Sequence, residues 1–278
     1  MSRVTHVWRT QGTLGLAATV RDRALQRRSE LWPLARVGTD KRSGLEIGGA
    51  SSRLGAGGLL PLYDSVASLD NVNFASATLW EPKLRDGGDY APAGRTLGVQ
   101  HLEEASDLAF AADEQYDFLL SSHTLEHVAN PLKTLREWRR VVRPGGTLVM
   151  VLPHHEGTFD RQRPVTSLAH LQADADADVG EDDDTHLPEI LALHDLHRDP
   201  GMDADQLRDR LERNIDLRSA HHHVFNLDLV VACLFETGWG AVAIEARRPY
   251  DIIAVARKVD ESDPGWGQSV RFGNPFTD

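Results

Sequence analysis

The sequence contains little that would place it outside the cell or in a membrane. Its 278 residues include one cysteine, Cys233, and a single thiol cannot form an internal disulfide, which predicts a reducing, cytoplasmic location. Cys233 lies in an apolar stretch, so we interpret it as a buried structural thiol rather than a nucleophile. No apolar run approaches the roughly 20 residues that cross a bilayer, and the N-terminus has no signal-like apolar segment. We expect a protein with no membrane span.

Positive charge is also scarce. Lys and Arg number 30 against 42 Asp and Glu, which gives a net charge of −12. A nucleic-acid-binding surface needs a basic face, so we expect no nucleic-acid partner. The acidity is densest in residues 174–184, where like-charge repulsion favours an exposed loop. This acidic segment has two alternative interpretations, a solubilising loop or a divalent-metal site, although its spacing differs from that of a calcium loop.

The chain lacks the glycines of a dinucleotide-binding turn but has a related motif at residues 44–53, Gly-Leu-Glu-Ile-Gly-Gly-Ala-Ser-Ser-Arg. A dinucleotide fingerprint beginning at Gly48 needs glycine where Ala50 and Arg53 stand, which argues against a nicotinamide-dependent oxidoreductase. The Gly-Gly pair still supplies a tight turn after an apolar strand. Glu46 places a carboxylate at the carboxyl end of that strand, where open α/β sheets bind ligands. The motif predicts a nucleotide site of another kind.

A second carboxylate ends a second predicted strand, residues 65–70, about 20 residues beyond the glycine turn. One carboxylate at this place can accept hydrogen bonds from both ribose hydroxyls, so Asp70 is the predicted ribose ligand. The alternative is that Asp70 only forms a turn before Asn71.

Strand and helix signals alternate over residues 116–153. Residues 118–120 form a short apolar run that fits a buried parallel strand. Asn130 and Pro131 supply an N-cap and a first helical residue, and apolar residues then recur on one helical face up to an Arg-Pro-Gly-Gly turn. Residues 147–152 return to an apolar strand. The segment therefore predicts a parallel sheet with helices on both faces.

Together these motifs resemble the type 11 branch of the class I S-adenosylmethionine (SAM) methyltransferases, over about residues 44–153 and again in the last two predicted strands. The resemblance rests on the glycine turn and on the order YDFLLSSHTLEHVANPL, LREW and RVVRPGGTLVMVLP. It implies SAM as cofactor and an α/β, Rossmann-like fold with a seven-stranded sheet, mostly parallel with an antiparallel final strand. It also implies an adenine-contacting loop at residues 103–108. The implied cofactor-binding residues are Glu46, Gly48, Gly49, Ala50, Asp70, Asn71, Ala105, Ser106 and Ser122.

The chain divides into five predicted parts around this core. Residues 1–43 are read as an N-terminal helical segment, either lying over the cofactor cleft or acting as the arm of a homodimer. Apolar side chains available for that packing are Trp8, Leu14, Leu16 and Trp32. The other parts are the SAM-binding core (44–153), a helical substrate-binding cap insertion (154–222), a core-completing helix with two strands (223–258) and a polar tail (259–278).

Histidines, of which the chain has 13, supply the candidate catalytic groups. A hydroxyl acceptor is a poor nucleophile at neutral pH, so its methylation calls for a base or a metal. His154 directly follows the fifth predicted strand, where acceptor and methyl group should meet, and is the predicted general base. His123, after the fourth strand, and Asp160 complete the predicted catalytic set.

A divalent metal is the alternative source of activation. Glu156, Asp160, His221 and His222 have the side chains that Mg²⁺ or a transition metal binds. Sequence alone leaves open whether they converge, so no metal ligand is assigned firmly and Mg²⁺ stays an alternative cofactor. The histidines at 221–223 also fit a simple pocket wall.

The segments beyond the core suggest an acceptor. PHHEGTFDRQRPVTSLAHL, GEDDDTHLPEILALHDLHRDPG and HHHVFNLDLVV resemble bacterial methyltransferases that modify sugars during glycan assembly, among them actinobacterial enzymes that O-methylate mannosides for methylmannose polysaccharides. This resemblance implies methyl transfer to a saccharide hydroxyl of a small-molecule or oligosaccharide acceptor. An N- or O-methyltransferase of natural-product metabolism is the alternative. A non-catalytic binding protein of the same fold is a more distant one.

Overall fold

A computed structural model describes residues 28–81 and 83–276, which form a nine-stranded sheet in the order β3-β4-β2-β1-β5-β6-β8-β7-β9. The strands are β1 (Ser43–Ile47), β2 (Ser68–Asn73), β3 (Gly88–Tyr90), β4 (Gly98–Leu102), β5 (Tyr116–Ser122), β6 (Val142–Pro153), β7 (Ala241–Arg247), β8 (Asp251–Arg257) and β9 (Gln268–Arg271). The helices are α1 (Trp32–Thr39), α2 (Pro131–Val141), α3 (Leu168–Asp176), α4 (Leu187–Leu193), α5 (Ala204–Glu212), α6 (Asn214–Leu217) and α7 (Leu227–Glu236). Single 3₁₀ turns lie at Leu125–His127, His155–Gly157 and Leu196–Arg198.

The five central strands, β4-β2-β1-β5-β6, run parallel, and β8 pairs antiparallel with both β6 and β7. The strand order reverses between β1 and β5, and in open α/β sheets a ligand binds outside the strand ends at such a switch point. The predicted Rossmann-like methyltransferase fold, mostly parallel with an antiparallel late strand, is confirmed.

Apolar side chains cover both faces of the sheet, as parallel strands require. On one face α2 and α7 bury a cluster that includes Leu132, Trp138 and Leu234. On the other face α1 and the loop after β1 bury Leu31, Leu54 and their neighbours. Asn130 caps α2 because its side chain accepts a hydrogen bond from the Lys133 amide, at 3.1 Å, and this cap fixes where the turn at 123–129 joins the helix.

Helices α3 to α6 lie between β6 and α7 and form the insertion above the carboxyl ends of the strands. Their own small core joins Ile190, Leu207, Leu211 and Ala220. Arg163 anchors the insertion from inside, because its buried guanidinium donates to the Asp160 carboxylate and to the carbonyl oxygens of His221 and His222.

Three expectations about the fold need correction. The sheet has nine strands rather than seven, because β3 forms a hairpin with β4 and because β9, within the predicted polar tail, adds an edge strand beside β7. The second strand ends at Asn73 rather than at Asp70. Trp32 begins α1 and donates to the Pro61 carbonyl at 3.4 Å, away from the cleft, whereas Trp8, Leu14 and Leu16 lie outside the described residues.

Among the described residues, no helix combines the length and apolar character needed to cross a membrane.

Candidate active site

A cavity of about 810 Å³ opens at the switch point of the sheet. The core contributes its walls from the loops after β1, β2, β4 and β5, and the insertion contributes residues from five separate stretches. Core residues that line it include Gly48, Ala50, Asn73, Ala105, Ser122 and His123; insertion residues include Phe159, Arg198, Arg210, Arg218 and His221. The volume lies within the range of about 300–1,000 Å³ that is usual for ligand pockets.

The glycine turn after β1 forms one wall of this cavity. Gly48 has φ +76°, and its amide donates to the Val72 carbonyl at 2.8 Å. A Cβ at this position would lie 2.3 Å from Thr124 Oγ1. Only glycine combines this left-handed conformation with such close approach to the neighbouring loop, so the turn is built to bring backbone rather than side chain to a ligand. Ala50 and Ser122 also line the cavity, as predicted.

Three of the predicted cofactor ligands lie behind the glycine turn and do not line the cavity. They are Glu46, Gly49 and Asn71. Glu46 is fully buried and accepts hydrogen bonds from Tyr63 (2.8 Å) and Tyr90 (2.6 Å). Burial raises the pKa of Glu46 to about 7, against the lowering effect of the two tyrosine hydroxyls. Asn71 accepts from the Gly49 amide at 3.0 Å. The structure thus places these three predicted cofactor ligands behind the glycine turn rather than in the wall of the cavity.

Asp70 also lies outside the cavity. Its carboxylate accepts from the Val99 amide (2.9 Å) and from the Tyr116 hydroxyl (2.9 Å), across the neighbouring strands. β2 pairs with β1 so that Val72 lies opposite Ile47, which puts Asn73 at the strand's end. The structure therefore does not bring Asp70, the predicted ribose ligand, to the cavity, because the strand continues three residues further. Asn73 takes that position and donates to the Gly49 carbonyl at 3.1 Å.

The loop after β4 contributes one of its two predicted residues. Ala105 lines the cavity together with the acidic side chains Glu103 and Glu104. Ser106 instead faces a separate surface depression beside Lys133 and Glu137, because the loop turns away toward α2 after Ala105. Its predicted contact with the cofactor is corrected.

His123 lies in the cavity wall between two buried carboxylates. Its Nε2 is 3.0 Å from Asp251 Oδ1, and its Nδ1 is 3.3 Å from Glu126 Oε1. Burial and the charge of Arg53 lower the pKa of His123, but the two carboxylates outweigh them and raise it above its ordinary value. Arg53 donates to the same Asp251 oxygen at 2.5 Å. Because both ring nitrogens lie beside carboxylates, neither is left to take a proton from an acceptor, so this arrangement suits His123 to binding and orienting rather than to the base role.

His221 and Asp160 form a buried pair, and His221 lines the cavity beside His127. His221 Nδ1 lies 2.5 Å from Asp160 Oδ2, and Arg163 donates to the other carboxylate oxygen at 2.9 Å. Burial raises the pKa of Asp160, but His221 and Arg163 outweigh it and lower the pKa to about 2. Because Nδ1 donates to the carboxylate, Nε2 is the nitrogen left for a ligand in the cavity that His221 lines.

The structure places His154 away from this wall. Its ring is fully buried between His155 and Phe276, at centroid separations of 5.3 and 4.2 Å, and it does not line the cavity. Its backbone amide donates to the Tyr250 carbonyl, which turns the side chain under the loop between β7 and β8. The structure therefore does not bring His154, the predicted general base, to the cavity, whereas His123 lines it and Asp160 supports His221 in its wall.

The four predicted metal ligands do not converge either. Asp160 is bonded to Arg163 and His221, and Glu156 has a half-exposed side chain on its 3₁₀ turn. His222 does not line the cavity, and its Nε2 lies 3.2 Å from the side-chain nitrogen Nδ2 of Asn214. A different set of Glu126, His127 and His221 lines the cavity with ligand atoms within 4.8 Å of one another. Burial and the charge of His221 lower the pKa of His127 to about 4, so that imidazole is neutral at neutral pH.

Sequence reasoning missed Glu126, Asp251 and Asn73. Glu126 could have been noticed as a carboxylate between His123 and His127 in a stretch that otherwise starts an apolar helix. Asp251 begins β8, and an antiparallel strand beginning there must bring its first residue to the carboxyl end of β6, where it pairs with Pro153. The signal for Asn73 was weaker, since it depended on where β2 ends.

Comparison with known proteins agrees with this architecture. Residues 72–150, from within β2 to within β6, match the family described as Methyltransferase domain (Methyltransf_11). The ubiquinone biosynthesis O-methyltransferase of Cereibacter sphaeroides is 32% identical over 105 residues, covering 32% of this chain and 42% of that protein. Its namesake from Parvibaculum lavamentivorans is 30% identical over 95 residues, covering 34% and 36%. This chain thus spans less than half the length of these relatives.

Two solved structures show the extent of the structural likeness. A possible histamine N-methyltransferase from Thermotoga maritima has 15% identity and a TM-score of 0.43, covering 91% of this chain and 99% of its own. The 1,6-didemethyltoxoflavin-N1-methyltransferase of Burkholderia thailandensis has 12% identity and a TM-score of 0.46, covering 88% and 82%.

Proposed function

We propose that this chain is a SAM-dependent O-methyltransferase that binds cofactor at the carboxyl ends of β1, β2 and β5 and its acceptor beneath the insertion. The match of residues 72–150 to a methyltransferase domain supports this assignment, as does a cavity at the switch point of the sheet. When bound, SAM supplies a methyl group that is already activated on a sulfonium. The protein then has to align the acceptor and remove its proton.

The residues of the core wall fit the cofactor. Gly48 presents backbone where a Cβ would collide with Thr124, which leaves room for the methionine part of the ligand. Asn73 stands at the end of β2 with amide groups suited to ribose hydroxyls, and Ala105 is a small residue suited to the adenine face. We therefore propose Gly48, Ala50, Asn73, Ala105 and Ser122 as the cofactor-contacting residues.

The observation that carries the O-methyl assignment is the buried contact between Asp160 and His221. A carboxylate that holds Nδ1–H fixes the tautomer and leaves Nε2 as a proton acceptor, and it stabilises the imidazolium formed after proton transfer. A hydroxyl needs such a base at neutral pH, whereas a neutral amine does not. His221 is accordingly the proposed general base, and Asp160 is its positioning residue.

A saccharide is the proposed acceptor class. The cavity offers three aromatic rings for stacking on a sugar face: Phe159 of the insertion, Tyr250 between β7 and β8, and Trp80 after β2. Trp80 is 58% exposed, which leaves most of its ring free for a ligand. Charged groups for hydroxyl recognition stand nearby in Arg198, Asp199 and Arg210. The cap insertion at 154–222 is then the acceptor-binding part of the chain, and a mannoside is the first acceptor to test.

Transfer of labelled methyl from SAM tests the proposal. The full chain is incubated with SAM and three acceptor sets: mannosides and other sugars, catechols and other phenols, and primary amines. We expect transfer to a sugar hydroxyl, and loss of that transfer in His221→Ala. Transfer to amines that survives His221→Ala would replace this proposal by an N-methyltransferase. No transfer to any set, despite cofactor binding, would favour the non-catalytic alternative.

A parallel series with EDTA and with added Mg²⁺ separates a base from a metal. If His221 acts as a base, adding Mg²⁺ to the EDTA-treated protein does not raise the rate. If EDTA abolishes transfer and Mg²⁺ restores it, Glu126, His127 and His221 are metal ligands and the base assignment is overturned.

A further inference from the structure

A second cluster of potential ligands lies in the insertion, outside the cavity. It consists of His170, Asp174, His186 and His223, and none of the four lines the cavity. His170 and Asp174 stand one helical turn apart on α3, His186 precedes α4, and His223 precedes α7. Each offers one ligand atom, and these atoms all lie within 4.8 Å of one another. Three separate segments of chain thus bring nitrogen and oxygen donors to one point.

The spacing of these atoms fits a tetrahedral metal. His170 Nε2 lies 3.3 Å from His186 Nε2 and 3.3 Å from Asp174 Oδ2. Zinc binds imidazole nitrogen at about 2.0–2.1 Å and carboxylate oxygen at about 2.0–2.2 Å. The edge of a tetrahedron with such bonds is about 3.3–3.4 Å, which follows from the same bond lengths. A tetrahedral site has six distances between pairs of ligand atoms. The two distances from His170 Nε2 therefore already match a bound zinc ion.

Two atoms of the cluster lack a hydrogen-bond partner in the described part of the chain, although one of them, Asp174 Oδ2, lies within ion-pair distance of His170 Nε2 (3.3 Å) and His223 Nε2 (3.8 Å). Asp174 Oδ2 and His223 Nδ1 are buried and have no hydrogen-bond partner there. His223 Nε2 lies 3.0 Å from the Ala129 carbonyl and so carries the hydrogen. A metal-binding histidine commonly donates its other ring N–H to a backbone carbonyl in this way, which fixes the ring and its tautomer.

The charge state of the histidines also suits a metal. Burial and neighbouring imidazoles lower the pKa of His186, although Asp183 and Asp174 oppose this. Burial, again with the charges of nearby histidines, lowers the pKa of His223 well below its ordinary value despite its bond to Ala129. Neutral imidazole is the form that binds a metal, so both shifts favour the ligand form. Asp183 and Arg163 are the other charged groups that face the cluster.

We propose that His170, Asp174, His186 and His223 bind one Zn²⁺ ion that ties α3, the acidic loop after it and the segment before α7 together. Three imidazoles and one carboxylate form a closed, four-ligand set, which is typical of structural rather than catalytic zinc. His223 lies two residues after His221, so the ion would also hold the segment that carries the proposed base. The acidic run at 174–184 then has a structural reason to fold back on the helix.

Metal titration of the untagged full chain tests the proposal. After EDTA treatment and its removal, Zn²⁺ is added and bound metal is measured by elemental analysis, and Co²⁺ replaces it for visible absorption. We expect one equivalent in the site, intense tetrahedral Co²⁺ bands, and a rise in Tm of roughly 5–10 °C at a hundredfold excess over Kd. Absence of binding in the micromolar range, or weak octahedral Co²⁺ bands, would overturn the proposal.

Variants assign the bound metal to these residues. His170→Ala and His186→Ala each remove one ligand from the partly exposed side, and we expect both to lose the Tm shift and the Co²⁺ bands. His197→Ala replaces an exposed histidine of the same insertion and should retain both. Glu126→Gln removes a ligand from the set in the cavity and should also retain them. Binding that survives in His186→Ala but disappears in Glu126→Gln would place the metal in the cavity and contradict the proposal.

Discussion

Asp160 and His221 are 61 residues apart in the chain, yet Asp160 Oδ2 lies 2.5 Å from His221 Nδ1 in the interior of the insertion. Arg163 holds the same carboxylate from the other side and also donates to the His221 carbonyl oxygen at 2.8 Å. Side chain and backbone of His221 are thus fixed by one local network. This network positions an imidazole in the wall of the cavity that Gly48 also lines.

Removing the proposed base should abolish catalysis without affecting the cofactor. We expect His221→Ala to lower kcat by about 10²–10⁴-fold, the usual contribution of a positioned base. The affinity for S-adenosylhomocysteine should stay within about twofold. Steady-state kinetics and calorimetry check the two parts, with His197→Ala as the matched control. A variant that retains more than a tenth of the wild-type kcat would remove His221 from the mechanism.

The Asp160–His221 pair also predicts that the protein loses stability at acid pH. The pKa of Asp160 is about 2 in the folded protein against 3.8 ordinarily, so its stabilisation is complete above about pH 4 and is lost as pH falls toward 2. The difference corresponds to about 2 kcal/mol. The free energy of unfolding of Asp160→Asn should therefore fall less steeply between pH 5 and 2. The exposed Asp216→Asn should behave as wild type; equal slopes in all three proteins would show that Asp160 is not held as a carboxylate.

The buried Glu46 predicts that stability falls, rather than rises, as the pH increases. Its pKa is about 7 in the folded protein and 4.5 ordinarily, so the folded state keeps a proton that the unfolded state releases. Stability is then highest below pH 4.5, falls between pH 4.5 and 7, and is lower by on the order of 3 kcal/mol above that. Glu46→Gln should remove this fall, as measured by denaturant unfolding across the range. Exposed Glu212→Gln is the control, and an unchanged fall in Glu46→Gln would refute the assignment.

The end of β2 gives a prediction about ribose binding. Asn73→Ala should weaken S-adenosylhomocysteine binding by about 5–30-fold, because a buried hydrogen-bonding group worth about 1–2 kcal/mol is lost. Asp70→Asn, only three residues earlier on the strand, should leave the affinity unchanged because Asp70 contacts Val99 and Tyr116 instead. The reverse result would restore Asp70 as the ribose ligand and displace Asn73.

Local signals in the sequence predicted the core well. The Gly-Gly turn, the Asn130 cap and the apolar strands each act over a few residues, and neighbouring side chains decide them. Where the predictions were wrong, the position depended on pairing between distant segments. Asp70 and Asn73 both follow apolar residues in the sequence, and only the pairing of β2 with β1 shows which one reaches the edge of the sheet.

The proposed base His221 and its partner Asp160 could not be predicted, for the same reason. His154 was favoured because it directly follows β6, but the contact of its backbone with Tyr250 turns its ring inward. His221 reaches the cavity only through the fold of the insertion and the Asp160–Arg163 pair. The run of three histidines at 221–223 was noticed, yet the residues separate in the structure. His221 faces the cavity, His222 faces Asn214, and His223 faces Ala129.

The most direct test of the account is calorimetric titration of the full chain with S-adenosylhomocysteine, in parallel with Gly48→Ala and Gly57→Ala. We expect a Kd in the micromolar range for the wild type. Gly48→Ala should bind at least tenfold more weakly, because its Cβ would collide with Thr124 in a left-handed turn, whereas a Cβ at Gly57 meets nothing within 4 Å and should leave binding unchanged. No binding by the wild type at millimolar ligand, or equal binding by all three proteins, would contradict the cofactor site and the function proposed from it.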